Sequence, residues 1–492
     1  MATEIHKTAS GWMLDPAVVG VAIDSRQVKP GYVFVAIPGL MADGHGFIED
    51  AVDRGAVAVV GERHIMNVSV PYVKVPSSRR AAAELAALLY DYPSLELTTI
   101  GITGTNGKTS VVYWLAALIR AAGSRCGMVS SVANDNGRTI HESVLTTPES
   151  PDLQRQLREM VQTGVSYGVI EVSSHGLAQH RVDEVALDLA VLTNITREHL
   201  DFHGTMDNYI DTKASLFDRM KTTSFGAVIN ADDYFSQRIL ERVKGSVVTY
   251  GIKKGDVLAE IVAQTPWSSK VRFRHPGFDI TAPLNHPGTY NVYNAAAAVA
   301  AAFSLGFDMR LIEAAIPHLP EVPGRMQVFQ VPSRPTVIVD YAHTPDGLIQ
   351  SLKTVRRMTS GKIWLVFGAR GGRDRGKRPE MGEVAARLSD RVVLTSDSPN
   401  DEAPHEIAQA ILEGIRAVDA SKLALIELSR EAAIQWAVSR ADQNDCVLVT
   451  GRGPELFQYF YGRRVRLEDA KVAQEALGLS ERPKGADGIG IR

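Results

Sequence analysis

The sequence predicts an α/β protein of three domains: a small N-terminal α/β domain (1–95), a central domain with a mostly parallel sheet (96–325) and a C-terminal Rossmann-like domain (326–492). Three observations carry this reading. Short apolar, β-branched runs alternate with helical patterns along most of the chain, as in parallel sheets with crossover helices. At 492 residues the chain exceeds what one core holds, and about three domains is the expectation for its length. Breakers fall between the blocks, at Tyr92-Pro93 and again at Pro320, Pro323 and Gly324.

In the first block, Asp24-Ser25-Arg26 precedes a strand, Tyr32–Ile37, ended by Pro38-Gly39. Asp43-Gly44-His45-Gly46 forms a second polar turn, followed by a helix over Phe47–Arg54, strands at Ala56–Val60 and Tyr72–Val75, and an alanine-rich helix, Ser78–Leu89. The second block opens on Thr98–Thr103, β-branched and apolar, then Gly104-Thr105-Asn106-Gly107-Lys108-Thr109-Ser110 and a helix-like pattern. Strands are expected at Val169–Val172, Leu187–Leu192 and Ala227–Asn230, and an antiparallel edge or insertion across Val247–Pro283. Tyr209–Phe217 reads as one amphipathic helix, and Asn294–Leu305 as a buried alanine helix. The third block offers buried-strand candidates at Thr336–Asp340, Lys362–Phe367, Arg391–Leu394 and Cys446–Thr450.

Strand, glycine-rich loop and helix together describe a phosphate cradle: backbone N–H groups turn inward around an anion. Lys108 would reach the outer phosphates of a bound nucleotide, and the Thr109 hydroxyl would hold Mg²⁺. The loop departs from a strict Walker A, which requires glycine where Ile102 stands. Glu171 ends a strand, where ligands of parallel sheets gather, and its carboxylate suits Mg²⁺. Its plainer reading is an acid that starts a helix. Arg197-Glu-His-Leu-Asp-Phe-His-Gly204 groups imidazoles and acids beside another strand end, or is simply a solvated turn. Spacing gives Lys213 no role; a lysine on an amphipathic helix is usually solvated. The basic stretch Gly371–Pro379 suits phosphate or carboxylate capture.

Composition narrows the classes. Lys+Arg number 53 against 56 Asp+Glu, a net charge of −3, so neither nucleic acid nor a membrane surface is the expected partner. The N-terminus lacks a signal-peptide core, and no apolar run is long enough to span a bilayer. Cys126 and Cys446 form no disulfide framework or metal-ligand spacing, which points to a reducing, cytoplasmic compartment.

Several strings together resemble the Mur ligases, ATP-dependent amide-forming enzymes of bacterial cell-wall synthesis. They are Thr103–Thr109, Glu171, Arg197–Asp201, Asn291 with Asn294, Pro323-Gly324-Arg325, Asp340–His343 and Arg373–Pro379. They occur in family order over nearly the whole chain, and are most similar to the branch that adds a third amino acid to UDP-MurNAc-L-Ala-D-Glu. The resemblance implies phosphoryl transfer from ATP to the dipeptide's terminal carboxylate, then attack by the incoming amine, with water excluded by closure of the third domain. By resemblance the central domain is the P-loop ATPase, and Glu171, His199 and a carbamylated Lys213 complete a Mg²⁺ shell with Thr109. An unmodified lysine, pKa roughly 10.4, would instead place a cation beside the metal. Lys108, Glu171, His199 and Lys213 are then catalytic, and Asn291, Asn294, Arg325 and Asp340 hold adenine and ribose.

Ser25 and His45 would bind the uridine nucleotide, and Thr146, Thr147, Ser173 and Arg181 the muramoyl dipeptide. Arg370, Asp397, Asn400, Gly451 and Glu455 would bind the amino acid, and the enzyme would act as a monomer. The acceptor strings depart from the diaminopimelate-adding pattern. Asn400 replaces an arginine that forks onto the distal carboxylate, Pro454 replaces a histidine, and Arg370 is an added cation. Diaminopimelate is therefore not expected to be strongly preferred, unless Arg370 takes over that contact; Glu455 remains to bind a distal ammonium. Three alternatives stand beside this reading: folylpolyglutamate synthetase, which begins close to its phosphate loop, a Mur-type ligase of a specialised pathway using another amino acid, and a P-loop NTPase switch.

Overall fold

The computed structural model describes residues 5–8, 11–39 and 42–479. Contacts divide the chain into two compact units, one built mainly from residues up to Pro320 and the other mainly from Glu321 onward.

The first unit contains a small parallel sheet in the order Gly20–Ala22, Tyr32–Ala36, Ala56–Gly61, Tyr72–Lys74. Alternation along Tyr32–Ala36 sends Val33 and Val35 to one face, against Ala81, Ala82 and Leu85 of the helix Ser78–Leu89. Phe34 and Ala36 go to the other, against Ile48 and Ala51 of the helix Ile48–Asp53. Both faces are covered, so the strands read as continuous apolar runs.

The larger sheet of this unit has eleven strands. Its centre is parallel: Cys126–Val129, Tyr167–Glu171, Thr98–Thr103, Leu189–Leu192, Gly226–Asn230, Val247–Gly251 and Val257–Gln264, in that spatial order. Antiparallel strands extend both ends, Ala133–Asp135 and Ile140–Glu142 on one side, Ser269–His275 and Phe278–Leu284 on the other. One face buries Ile170, Ala190, Leu192 and Ile229 against Leu153, Leu157 and Met160 of the helix Ser150–Gln162 and Ile210 and Ala214 of the helix Met206–Ala214. The strand Thr98–Thr103 comes first in sequence among the parallel strands and is flanked by Tyr167–Glu171 and Leu189–Leu192, so its carboxyl end opens between theirs.

The second unit is built on a six-stranded sheet: Gln327–Phe329, Thr336–Val339, Cys446–Val449, Ile363–Phe367, Arg391–Leu394, Leu423–Ile426. Only the first pair is antiparallel. Val337, Val339, Val366, Val393, Val447 and Val449 pack on Ala433, Ile434 and Ala437 of the helix Arg430–Arg440, and on Val472 and Ala473 of the helix Asp469–Leu477. The carboxyl ends of three central strands lead into the loops that carry Arg370, Asp397 and Gly451.

Several elements differ from expectation. The stretch expected as one helix over Tyr209–Phe217 is the helix Met206–Ala214 followed by a separate 3₁₀ turn, Phe217–Arg219. The alanine helix starts earlier, at Thr289, and ends at Ser304. Of the strands not foreseen in the second unit, Leu423–Ile426 is an edge strand without one fully buried residue, so its sequence lacks the apolar run that marks the central ones. Among the described residues, no helix is long and apolar enough to cross a membrane.

Candidate active site

The loop after Thr98–Thr103 is shaped by two glycines that a side chain could not replace. Gly104 has φ +146°, and a Cβ there would lie 1.9 Å from Thr193 Oγ1; Gly107 has φ +84°, and its Cβ would lie 2.2 Å from Asn294 Oδ1. Glycine alone combines that backbone with that close approach. The loop is held from outside by the strand end at residues 193–196. Asn194 Oδ1 accepts from Asn106 N at 2.9 Å, Asn194 Nδ2 donates to Asn106 O at 3.0 Å, and Thr193 Oγ1 donates to the same carbonyl at 2.7 Å. Thr105 N donates to Asn194 O at 2.8 Å, and the Thr105 hydroxyl lies 2.9 Å from the Tyr209 hydroxyl. Such a loop at the start of the helix Lys108–Ala121 concentrates N–H groups and the positive end of the helix dipole.

Lys108 Nζ donates to the carbonyls of Gly104 and Thr105, at 3.1 and 2.8 Å. Thr109 Oγ1 lies 3.1–3.2 Å from both carboxylate oxygens of Glu171, which is only 2% exposed. Ser131 closes the group, its N–H donating to Glu171 Oε2 at 2.9 Å and its hydroxyl 3.0 Å from that of Thr109. A hydroxyl and a carboxylate in contact are hard oxygen donors, which fit Mg²⁺ better than a soft metal.

Lys213 is not a solvated surface lysine. It is 1% exposed, donates from Nζ to Gly104 O at 2.7 Å and lies 4.6 Å from the centre of the Tyr209 ring. Burial pushes its pKa well below the ordinary lysine value, and the neighbouring Lys108 acts in the same direction. Two amines therefore converge on one carbonyl oxygen of the loop. Beside them His175 packs on His199, Phe202 and His203, with ring centres 4.6, 4.3 and 5.8 Å apart. His203 is buried against Tyr209, and burial, followed by Lys213, lowers its pKa. His199 adopts a left-handed backbone (φ 55°) just before the helix Leu200–His203 and lies 3.5 Å from Glu198. Within Arg197–Gly204, His199, Phe202 and the buried His203 thus pack on the site through His175, while Arg197, Asp201 and Gly204 are exposed.

Asn291 and Asn294 are both buried, with Asn294 Nδ2 donating to Asn291 Oδ1 at 3.1 Å. The close approach to Gly107 places Asn294 on the phosphate loop itself. Thr147, Ser173 and Arg181 also come together. The Thr147 hydroxyl donates to Glu171 O and accepts from Ser173 N, both at 2.9 Å, and Arg181 reaches Thr147 O at 2.8 Å and Glu149 at 2.7 Å. Thr146 is the neighbouring residue on this loop. Ser25 and His45 sit in the small N-terminal sheet's domain, where His45 bridges internally: Nδ1 lies 2.6 Å from Asp43, and Nε2 accepts from Glu62 N at 3.0 Å. In the second unit, Arg325 lies 4.0 Å over the Tyr341 ring, and Asp340 accepts from Met326 N at 3.0 Å and from the Ser351 hydroxyl.

The acceptor candidates of the second unit converge at the sheet's carboxyl edge. Arg370 Nη1 pairs with Glu455 Oε1 at 2.9 Å, so the carboxylate expected to receive an ammonium already holds a guanidinium. Asn400, at φ 54°, turns its amide onto Gly371 O at 2.7 Å. A Cβ on Gly451 would lie 2.9 Å from Asp397 Oδ2. Tyr209 and Ser131 were not expected in these sites, whereas Glu149 belongs to the Thr146–Glu149 string of the dipeptide site and Thr193 and Asn194 to a strand end where ligands gather. The polar pair after the apolar run Leu187–Leu192 was the available signal for Thr193 and Asn194; Tyr209 gave none.

Residues 17–90 match the catalytic domain of the Mur ligase family, 102–302 the Mur ligase middle domain, and 324–453 the glutamate ligase domain of Mur ligases. A UDP-N-acetylmuramoyl-L-alanyl-D-glutamate–2,6-diaminopimelate ligase of Geobacillus thermodenitrificans is 40% identical over 470 residues, covering 94% of this chain and 95% of that protein. The chain belongs to the Mur ligase family. Another ligase of that name, from Aquifex aeolicus, is 39% identical over 94% of both chains. A solved structure of a UDP-N-acetylmuramoyl-L-alanyl-D-glutamate–2,6-diaminopimelate ligase superimposes on this Mur ligase with a TM-score of 0.64 at 31% identity, covering 94% of each chain. The MurF ligase of Thermotoga maritima in complex with ADP shares the fold, with a TM-score of 0.66 at 21% identity over 95% of this chain and 98% of that one.

Proposed function

We propose that this Mur ligase is an ATP-dependent, ADP-forming ligase that adds the third amino acid to UDP-MurNAc-L-Ala-D-Glu in peptidoglycan synthesis. The observation that carries the proposal is the buried Thr109–Glu171 contact beside Lys108 on a glycine-shaped loop. Identity of 40% to a diaminopimelate ligase along almost the full length supports the substrate class. The domains are read as 1–95 for the UDP substrate, 96–325 for ATP and 326–492 for the amino acid, in a monomer acting in the cytoplasm.

In this reading the loop N–H groups and Lys108 hold the triphosphate, and Asn294 closes the loop from the side. Thr109, Glu171, His199 and Lys213 would hold Mg²⁺, which when bound supplies charge stabilisation as phosphate is transferred. Arg181, Thr147 and Ser173 position the dipeptide, whose terminal carboxylate becomes an acyl phosphate and is then attacked by the incoming amine. Deprotonated, the Lys213 amine would add through Nζ to the carbon of CO₂ with release of a proton, and the resulting carbamate would replace an amine by an anionic oxygen ligand. Asn291 serves adenine and ribose, and Ser25 and His45 the uridine nucleotide.

The test is phosphate release. It should require ATP, Mg²⁺, a UDP-muramoyl dipeptide and an amino acid together, and Lys108→Ala should abolish it while the protein remains folded. Phosphate release without the amino acid would instead indicate a nucleotide switch, and full turnover by Lys108→Ala would remove the loop assignment.

A further inference from the structure

The described chain passes once from the small parallel sheet to the eleven-stranded one, between the helix Ser78–Leu89 and the strand Thr98–Thr103. A single covalent crossing lets two bodies swing unless other contacts fasten them. This crossing is strained. Asp91 and Tyr92 are consecutive, neither is glycine, and both have a left-handed backbone, with φ 63° and 49°. Such conformations persist only where the surroundings impose them.

One side chain grips this turn from the large sheet's side. Arg158, on the helix Ser150–Gln162, donates from Nε to Tyr90 O at 2.8 Å and from Nη2 to Asp91 O at 3.0 Å. Its Nη2 also lies 2.8 Å from Glu96 of the same crossing. The guanidinium therefore caps the carboxyl end of the helix Ser78–Leu89, where the helix dipole is negative. At the amino ends of the two helices, Arg79 lies 3.8 Å from Glu149, which pairs with Arg181 at 2.7 Å. The helices thus lie side by side in the same direction, joined at both ends. Ser94, buried in the crossing, adds a further point by accepting from Ala186 N at 3.1 Å.

Each helix is anchored in a different core. Ala81, Ala82 and Leu85 belong to that of the small sheet, and Leu153, Leu157 and Met160 to that of the large one. Ser25 and His45 go with the small sheet; Thr147, Ser173 and Arg181 go with the large one.

Resting on the ligase reading above, we propose that Arg158 is a positioning residue for the nucleotide-linked substrate. By fastening the strained crossing, it holds the uridine subsite and the dipeptide subsite at one spacing, so that a single UDP-muramoyl dipeptide engages both. Once one end of such a ligand is bound, the other sees its own subsite at a high effective concentration, and that advantage falls when the spacing is no longer fixed. Arg158 contacts neither the uridine nor the dipeptide in this arrangement. Its loss therefore weakens the linked substrate and leaves each half alone.

The experiment measures three constants: KM for UDP-MurNAc-L-Ala-D-Glu, the inhibition constant of UDP, and KM for the muramoyl dipeptide 1-phosphate, which lacks the uridine. Arg158→Ala should raise the first about tenfold or more and leave the other two within about twofold of wild type. The kcat at saturation and the KM for ATP should not change. The conservative Arg158→Lys, which keeps the charge but not the fork, should raise the first constant about threefold and carries the test should Arg158→Ala not fold. A merely structural role would lower the melting temperature and move none of the three constants, or all of them together. An unchanged KM for the linked substrate in both variants, or a rise in the UDP or 1-phosphate constant as large as that of the linked substrate, would overturn the assignment. So would a wild-type enzyme that takes the 1-phosphate as tightly as the linked substrate. Each of these outcomes leaves wild-type turnover intact and so overturns this inference alone. Absence of wild-type turnover with every amino acid overturns the ligase reading and this inference with it.

Discussion

At Gly107 a single added carbon meets two obstacles, a left-handed backbone and the Asn294 oxygen 2.2 Å away. Gly107→Ala should therefore cost about 1–2 kcal/mol from the backbone alone, seen as a lower melting temperature, with a raised KM for ATP. Lys213→Ala should lose most activity and recover part of it when acetate or formate is added; a variant as active as wild type would return the residue to a purely structural role. These two positions also show what a sequence reveals. Gly104, Asn106, Gly107 and Lys108 are adjacent in the chain, so their backbone requirement and charge can be read together. Lys213 lies over a hundred residues away, and its importance rests on burial and on a bond to Gly104 O, which no local pattern encodes. The pairing of Arg370 with Glu455 was hidden for the same reason: each charge was visible, but not that one neutralises the other.

Among elements, the helix Lys377–Leu388 and the loop before it are held together through Glu402, which accepts from Arg378 and from Gly372 N. The bond from Arg378 holds the Glu402 carboxyl below its usual range, against the opposing effect of burial. The sign follows from linkage. The folded state binds the proton less readily, so this stabilisation is full above the unfolded pKa of about 4.3 and is lost as the pH falls through the lower folded value. Glu402→Gln should cost roughly 1.5–3 kcal/mol at pH 7 and flatten the loss of stability on the acid side of pH 4.3, measured by thermal melts across that range. Element by element, the central strands and the helix Ser78–Leu89 were legible because both faces of each sheet are covered and the apolar runs are unbroken. The edge strand Leu423–Ile426 and the hairpin strands Ala133–Asp135 and Ile140–Glu142 were not, since partial exposure removes the pattern that marks a buried strand.

For the whole molecule, each compact unit has its own apolar core. Arg430 and Asp469 are paired with both side chains fully buried inside the second unit. Asp469→Asn leaves a guanidinium buried without its counter-charge, a loss of about 3–5 kcal/mol. Scanning calorimetry should show the transition of the second unit moving to lower temperature while that of the first stays in place; a uniform shift would mean that the units unfold as one. The eleven-stranded sheet of the first unit has a further consequence for how the protein behaves in concentrated solution. Its outermost strand, Ile140–Glu142, is three residues long, exposed throughout and carries His141 and Glu142. A strand so short offers a neighbouring chain too few free N–H and C=O groups to dock against. A sheet broad enough to seed a fibril is in this way closed off at that margin by brevity alone, and lengthening the hairpin would be the simplest way to make this ligase self-associate.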